Sequence, residues 1–147
     1  MLKHPRQTVD RIREYVERYL PLVYPESVPL VLEVAGPVAR ISYSDAQNLT
    51  YQKASLGMKL DPKWSTYWFR TKTSIPEAWK SKTVAAIFNT RSEGLAWVDG
   101  QPYQGLNYLD HLPWQDDGRI DVRIPQSMKD KGVVEMQFEV ACNGLFG

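Results

Sequence analysis

The sequence predicts a mostly β domain, an antiparallel two-sheet sandwich with an N-terminal α-helix, and three observations carry that prediction. Val134, Met136, Phe138, Val140 and Cys142 alternate with Glu135, Gln137 and Glu139, the two-residue period of a strand with one buried face. Asp99-Gly100 lies between two strand-like runs, and glycine there supplies the positive φ of a tight hairpin. At the other end, Val9, Ile12, Val16 and Tyr19 recur at three- and four-residue spacing, the stripe of an amphipathic helix.

The helix is expected over about 7–20. Thr8 stands where an N-cap belongs, and Pro21 is expected to end the helix by pushing its predecessor out of the α region. Arg11, Arg13, Glu14, Glu17 and Arg18 make the other face wet, so the apolar side needs a docking partner. The sandwich is expected over about 28–143. Leu30, Leu32 and Val34 form a first strand closed by Gly36-Pro37. From about 38 to 62 the period is weak, and a long ordered loop with one short strand near 39–43 is expected. Phe69, Thr71, Thr73 and Ile75 then share a strand face opposite Arg70 and Lys72. Pro76 stops that strand before a short turn at Glu77-Ala78-Trp79. Further strands are expected at Val84–Asn89, Leu95–Asp99 and Ile120–Ile124.

The totals exclude several functions. At 147 residues the chain has the length of one domain, long enough to bury roughly 68–70% of its unfolded surface. Eighteen basic against 17 acidic side chains give +1, not the concentrated field a phosphate-tracking groove requires, so nucleic acid is not an expected partner. No apolar run approaches the ~20 residues of a membrane span. The lone Cys142 forbids an internal disulfide and fits a reducing, cytoplasmic setting; its place in the last apolar stripe marks it as a buried structural thiol.

The sequence offers little catalytic chemistry. His4 and His111 are the two histidines, and no cluster at metal-ligand spacing surrounds either, so no cofactor is expected in this chain. Glycoside hydrolysis needs two carboxylates across a pocket, whereas Asp99 and Asp116-Asp117-Gly118 read as turns. No Walker or dinucleotide glycine pattern occurs.

Several separated motifs carry a resemblance: Thr66-Tyr67-Trp68-Phe69-Arg70, Ser74-Ile75-Pro76-Glu77-Ala78-Trp79, Glu93-Gly94-Leu95-Ala96-Trp97-Val98-Asp99-Gly100-Gln101-Pro102-Tyr103, and the closing Glu139-Val140-Ala141-Cys142-Asn143-Gly144. In this order they resemble the N-terminal β-sandwich of glycoside hydrolase family 38, the class II α-mannosidases, in its cytosolic and bacterial branch. The resemblance implies a galactose-binding-like jelly roll and a single domain, 1–147, that is the N-terminal fragment of a much larger enzyme. It also implies a zinc-dependent retaining catalytic domain downstream, whose motifs do not occur in these residues.

Five Trp, eight Tyr and four Phe set up two readings of the domain itself. In the first, it is an accessory module for packing or assembly. Trp64, Trp68, Trp97 and Tyr103 would then dock on the catalytic domain of the same polypeptide or on another subunit of a homo-oligomer. In the second it is a carbohydrate-binding module, with Trp68, Trp97 or Trp114 as a platform and Arg70 or Asp110 bonding sugar hydroxyls.

Overall fold

The computed structural model describes residues 4–107 and 118–143. Helix α1 (Pro5–Val23) leads into β1 (Leu32–Val38), α2 (Tyr43–Ala46), β2 (Gln52–Lys53) and β3 (Thr66–Ser74). A 3-10 turn at Glu77–Trp79 precedes β4 (Ala85–Ile87), β5 (Glu93–Val98), β6 (Gln101–Leu106), β7 (Asp121–Arg123), α3 (Gln126–Lys131) and β8 (Val133–Ala141). The strands form a six-stranded antiparallel sheet in the order β2-β1-β3-β8-β5-β6 and a two-stranded sheet, β4-β7.

The core lies between the two sheets. Phe69, Phe138 and Val140 from the large sheet meet Ala86, Phe88 and Val122 from the small one. The Phe88 and Phe138 rings stack with centroids 4.0 Å apart, and Phe69 meets Phe88 edge-on at 5.3 Å. The alternation that predicted β8 is the alternation observed, since Val134, Met136, Phe138 and Val140 are all buried. In β3, Phe69, Thr71 and Thr73 are buried while Arg70 and Lys72 are exposed, as their period requires. At the β5–β6 turn, Asp99 (φ 49°) and Gly100 (φ 74°) are both left-handed, the geometry of a type I′ hairpin. Cys142 is a free, buried thiol.

Several expectations need correction. Helix α1 starts with Pro5 in its first turn, where the missing N–H costs nothing, so Thr8 is not the cap. The Thr8 hydroxyl instead donates to the His4 carbonyl one turn back. Pro21 does not end the helix; it lies in the last turns, which continue to Val23. The apolar stripe Val9, Ile12, Val16 and Tyr19 stays exposed. Strand β1 runs through Gly36-Pro37 by means of a bulge: Ala35 pairs with Trp68 and Val38 with Thr66. Gly36 has φ +135°, and a Cβ there would lie 2.8 Å from the Tyr67 ring. The segment 39–43 is not a strand. Ser42 instead caps α2, its Oγ accepting from the Asp45 N–H at 3.1 Å. Helix α3 was not foreseen at all, although Gly132 closes it in the left-handed conformation.

The segment between α1 and β1 is tied to the sandwich. The Trp79 Nε1–H donates to Glu26 Oε2, and Lys82 Nζ lies 3.1 Å from Glu26 Oε1. These partners, the Trp79 hydrogen bond foremost and then Lys82, hold the Glu26 carboxyl below its ordinary value. Nearby, partial burial and then the charge of Asp121 push the Tyr24 phenol up.

Two expected outcomes follow from this packing. Phe138→Ala removes a ring with no exposed surface from the centre of the core. It should cost about 3–5 kcal/mol in urea unfolding, and a loss below about 1 kcal/mol would contradict the packing described. The lowered carboxyl at Glu26 contributes stability that is present above the ordinary value of 4.5 and lost as pH falls through the lower folded value. Glu26→Gln should therefore lower Tm at pH 7, with the gap to the parent chain closing below about pH 4; a gap that persists in acid would show that the carboxylate charge is irrelevant.

Candidate functional site

The large sheet has two differently used faces. On the outer face α2 lies over β3 and encloses Trp68, while Tyr67 and Phe69 of the same strand are buried in the core on the inner face. Trp68 is 0% exposed, and its ring meets Trp97 at 5.8 Å and Tyr43 at 6.2 Å. Tyr43 also stacks on Trp97 at 5.1 Å. The three rings form one aromatic box between α2, β3 and β5. Both indole Nε1–H groups are buried in it without an acceptor among the described residues. The short helix is latched by a reciprocal amide pair: Gln47 Nε2 donates to Gln137 Oε1 at 2.9 Å, and Gln137 Nε2 donates back to Gln47 Oε1 at 3.0 Å. Beside it, Arg70 pairs with Glu33 and lies 4.1 Å from the centre of the Tyr51 ring. Burial is the main cause that pushes the Tyr51 phenol up, against the opposing charge of Arg70.

The described residues cover the inner face only in part. The small sheet lies over β8 and its neighbours, leaving a cleft of about 830 Å³ where β1 and β3 run beyond it. Leu30, Leu32, Phe69 and Phe88 line it, together with Met58 and Leu60 from the β2–β3 connection. That connection is held in place by Tyr67, whose hydroxyl donates to the Asp61 carbonyl at 2.6 Å. The polar lining includes Lys59, Lys63 and Arg91 against one carboxylate, Asp61.

The predicted site residues do not come together as one surface. Trp68 is a correction: it has no exposed surface, because α2 and Trp97 enclose it, so in this arrangement it is neither platform nor docking anchor. Trp97 is half-buried in the same box, its ring packed between Tyr43 and Trp68. Arg70 is exposed but engaged with Glu33 and Tyr51. Trp64 is exposed at φ 70°, its N–H donating to the Cys142 carbonyl at 2.7 Å. Tyr103 is exposed on β6, and its hydroxyl donates to the Arg123 carbonyl at 3.1 Å. Asp110 and Trp114 lie outside the described residues, as does His111. The residues that build the two faces, Tyr43, Gln47 and Gln137 on one and Leu30, Phe88 and Met58 on the other, were not singled out. A signal for the first existed in Ser42-x-x-Asp45, the pattern of a helix start.

Among the described residues, no group of three or more His, Cys, Asp and Glu could hold a metal ion, so the zinc that the resemblance implies finds no donor set in them. Several carboxylates have surface partners, Glu33 with Arg70, Glu135 with Lys72 and Glu93 with Asn143. Among the described residues, no helix is long and apolar enough to cross a membrane.

A six-stranded antiparallel sheet packed on a two-stranded one, with an open cleft at its side, defines a β-sandwich of jelly-roll type. The chain belongs to the family of α-mannosidase jelly roll domains, whose family model matches residues 28–147. It is 34% identical over 156 residues to alpha-mannosidase G of Dictyostelium discoideum and 33% identical over 158 residues to alpha-mannosidase 2C1 of Homo sapiens. These alignments cover 100% and 99% of this chain, which spans only 14% of the length of either relative.

The amide latch has a measurable consequence. Gln47→Ala should cost about 1 kcal/mol and increase acrylamide quenching of tryptophan fluorescence as α2 loosens over Trp68 and Trp97. Unchanged quenching would show that α2 is held without the Gln47–Gln137 pair.

Proposed function

We propose that this domain is a non-catalytic accessory module of an α-mannosidase, serving to pack against and assemble the rest of the polypeptide. The observation that carries the reading is the cleft: a folded sandwich that leaves Leu30, Leu32, Met58 and Leu60 only half-buried along it, with Leu56 and Ile87 exposed beside them, has further apolar surface to bury. The small share of each α-mannosidase relative that the chain spans supports placing the missing surface in the same polypeptide. Hydrolysis of α-mannosides by a retaining mechanism, with its zinc and its pair of carboxylates, would belong to that remainder. The exposed stripe of α1 offers a second surface, toward another subunit of a homo-oligomer. Cys142, the one cysteine of the sequence and a free, buried thiol, supports a cytoplasmic setting.

Burial of Trp68 weakens the sugar-platform alternative, which would need a flat, accessible ring. Titration of the 147-residue chain with mannose and α-mannobiose, read by tryptophan fluorescence and NMR, should give no saturable shift at high millimolar sugar. Saturable shifts at Trp64 or Trp97 would make the domain a carbohydrate-binding module instead. In the full-length enzyme, deletion of this domain should abolish soluble, active protein, and full mannosidase turnover after deletion would overturn the accessory reading.

A further inference from the structure

Among the described residues, one edge of the small sheet has no hydrogen-bonding partner, although Tyr24 to Glu26 lie beside its start at Val84 and Ala85. Ala85 pairs with Arg123, Ala86 with Val122 and Ile87 with Asp121. The Phe88 N–H donates to the Ile120 carbonyl at 2.7 Å, and the Ile124 N–H donates to the Val84 carbonyl at 2.9 Å. In an antiparallel ladder, hydrogen-bonded and non-bonded pairs alternate. The backbone groups of Val84, Ala86 and Phe88 therefore face β7, and those of Ala85 and Ile87 face away. The same alternation turns the Asp121 and Arg123 carbonyls outward on the far side, where Gln104 Nε2 and the Tyr103 hydroxyl meet them. No such partner reaches Ala85 or Ile87 among the described residues.

The other edges are protected. Strand β2 has two residues, one of them Lys53; β6 carries Pro102 and a register shift, and its outer side is bonded to β7. Short strands, lysine, proline and bulges are the usual devices that stop a sheet from recruiting another strand. The run Val84-Ala85-Ala86-Ile87-Phe88 has no charge, no proline and no bulge, and Ile87 is 44% exposed. It borders the apolar cleft, whose lining continues from Ile87 through Ser92.

We propose that the free edge of β4 accepts an extended strand from the rest of the α-mannosidase polypeptide, which completes the small sheet and lays alternate apolar side chains in the cleft. An extended backbone is the partner whose N–H and C=O groups match the outward groups of Ala85 and Ile87. Lys59 and Lys63 against Asp61 favour acidic residues flanking that strand. The source of the strand rests on the accessory reading above; the competence of the edge does not.

The test uses the 147-residue chain and a capped heptapeptide, Glu-Val-Thr-Val-Thr-Val-Glu, with a second peptide N-methylated at every residue so that neither of its edges can form a ladder. The first should bind saturably, with NMR shifts confined to 84–92 and the cleft and amide exchange at Ala85 and Ile87 slowed at least tenfold; the second should not bind. Ile87→Pro, which removes one outward N–H and leaves the bonds to β7, should weaken binding at least tenfold in a chain that still unfolds cooperatively. No shift at millimolar peptide, equal binding of the N-methylated peptide, or a dimer of this chain formed through β4 would overturn the proposal. In the full-length enzyme the Ala85 and Ile87 amides should exchange at least tenfold more slowly than in the isolated chain. Unchanged exchange there, with peptide binding intact, would remove the intramolecular source. Peptide binding with an enzyme indifferent to deletion of the domain would sink the accessory reading and leave the edge standing.

Discussion

Two nine-residue strands, Thr66–Ser74 and Val133–Ala141, pair along their whole length, and the other elements take their positions from that ladder. Strand β3 bonds β1 on its other side and β8 bonds β5, so four strands are placed by one register. A slip of one residue would turn Phe69, Phe138 and Val140 toward solvent and bring Arg70 and Glu139 into the core. The Phe88 ring, stacked on Phe138, carries the same constraint across to the small sheet. The register of the large sheet thus decides where β4 and β7 lie.

From that frame the two faces diverge. On the outer face, a four-residue helix is sufficient to bury Trp68, because Trp97 and Tyr43 fill the space around it and the paired amides of Gln47 and Gln137 hold the lid. On the inner face, two short strands cannot cover six, and an apolar cleft remains beside β4. A short two-stranded sheet is marginal alone and depends on the large sheet for its stability. In the accessory reading proposed above, the part of the inner face left open by the described residues is the surface offered to the rest of the polypeptide.

Attachment at the N-terminus follows a different logic. Glu26, clasped by Trp79 and Lys82, pins the chain where it leaves α1, while the apolar stripe of the helix remains in solvent. Matching of the family model begins at residue 28, just past that clasp. The sandwich is thus the family-defining unit, and α1 extends from it as an arm.

Periodicity along the chain was enough to identify the sandwich, the β3 and β8 faces, the Asp99-Gly100 hairpin, the N-terminal helix and a buried Cys142, because each rests on local sterics or on a two- or 3.6-residue repeat. The motifs around Trp68, Trp79 and Trp97 pointed to the α-mannosidase jelly roll for the same reason: they are contiguous. Exposure is not a local property. Trp68 and Trp64 look alike in sequence, yet one is enclosed by a helix 22 residues upstream and the other projects into solvent. Gln47 meets Gln137 across 90 residues, and the cleft gathers β1, β3, the β2–β3 connection and the segment after β4. Those features arise from long-range packing, in which a residue's surroundings are set by chain segments that its own neighbours do not encode.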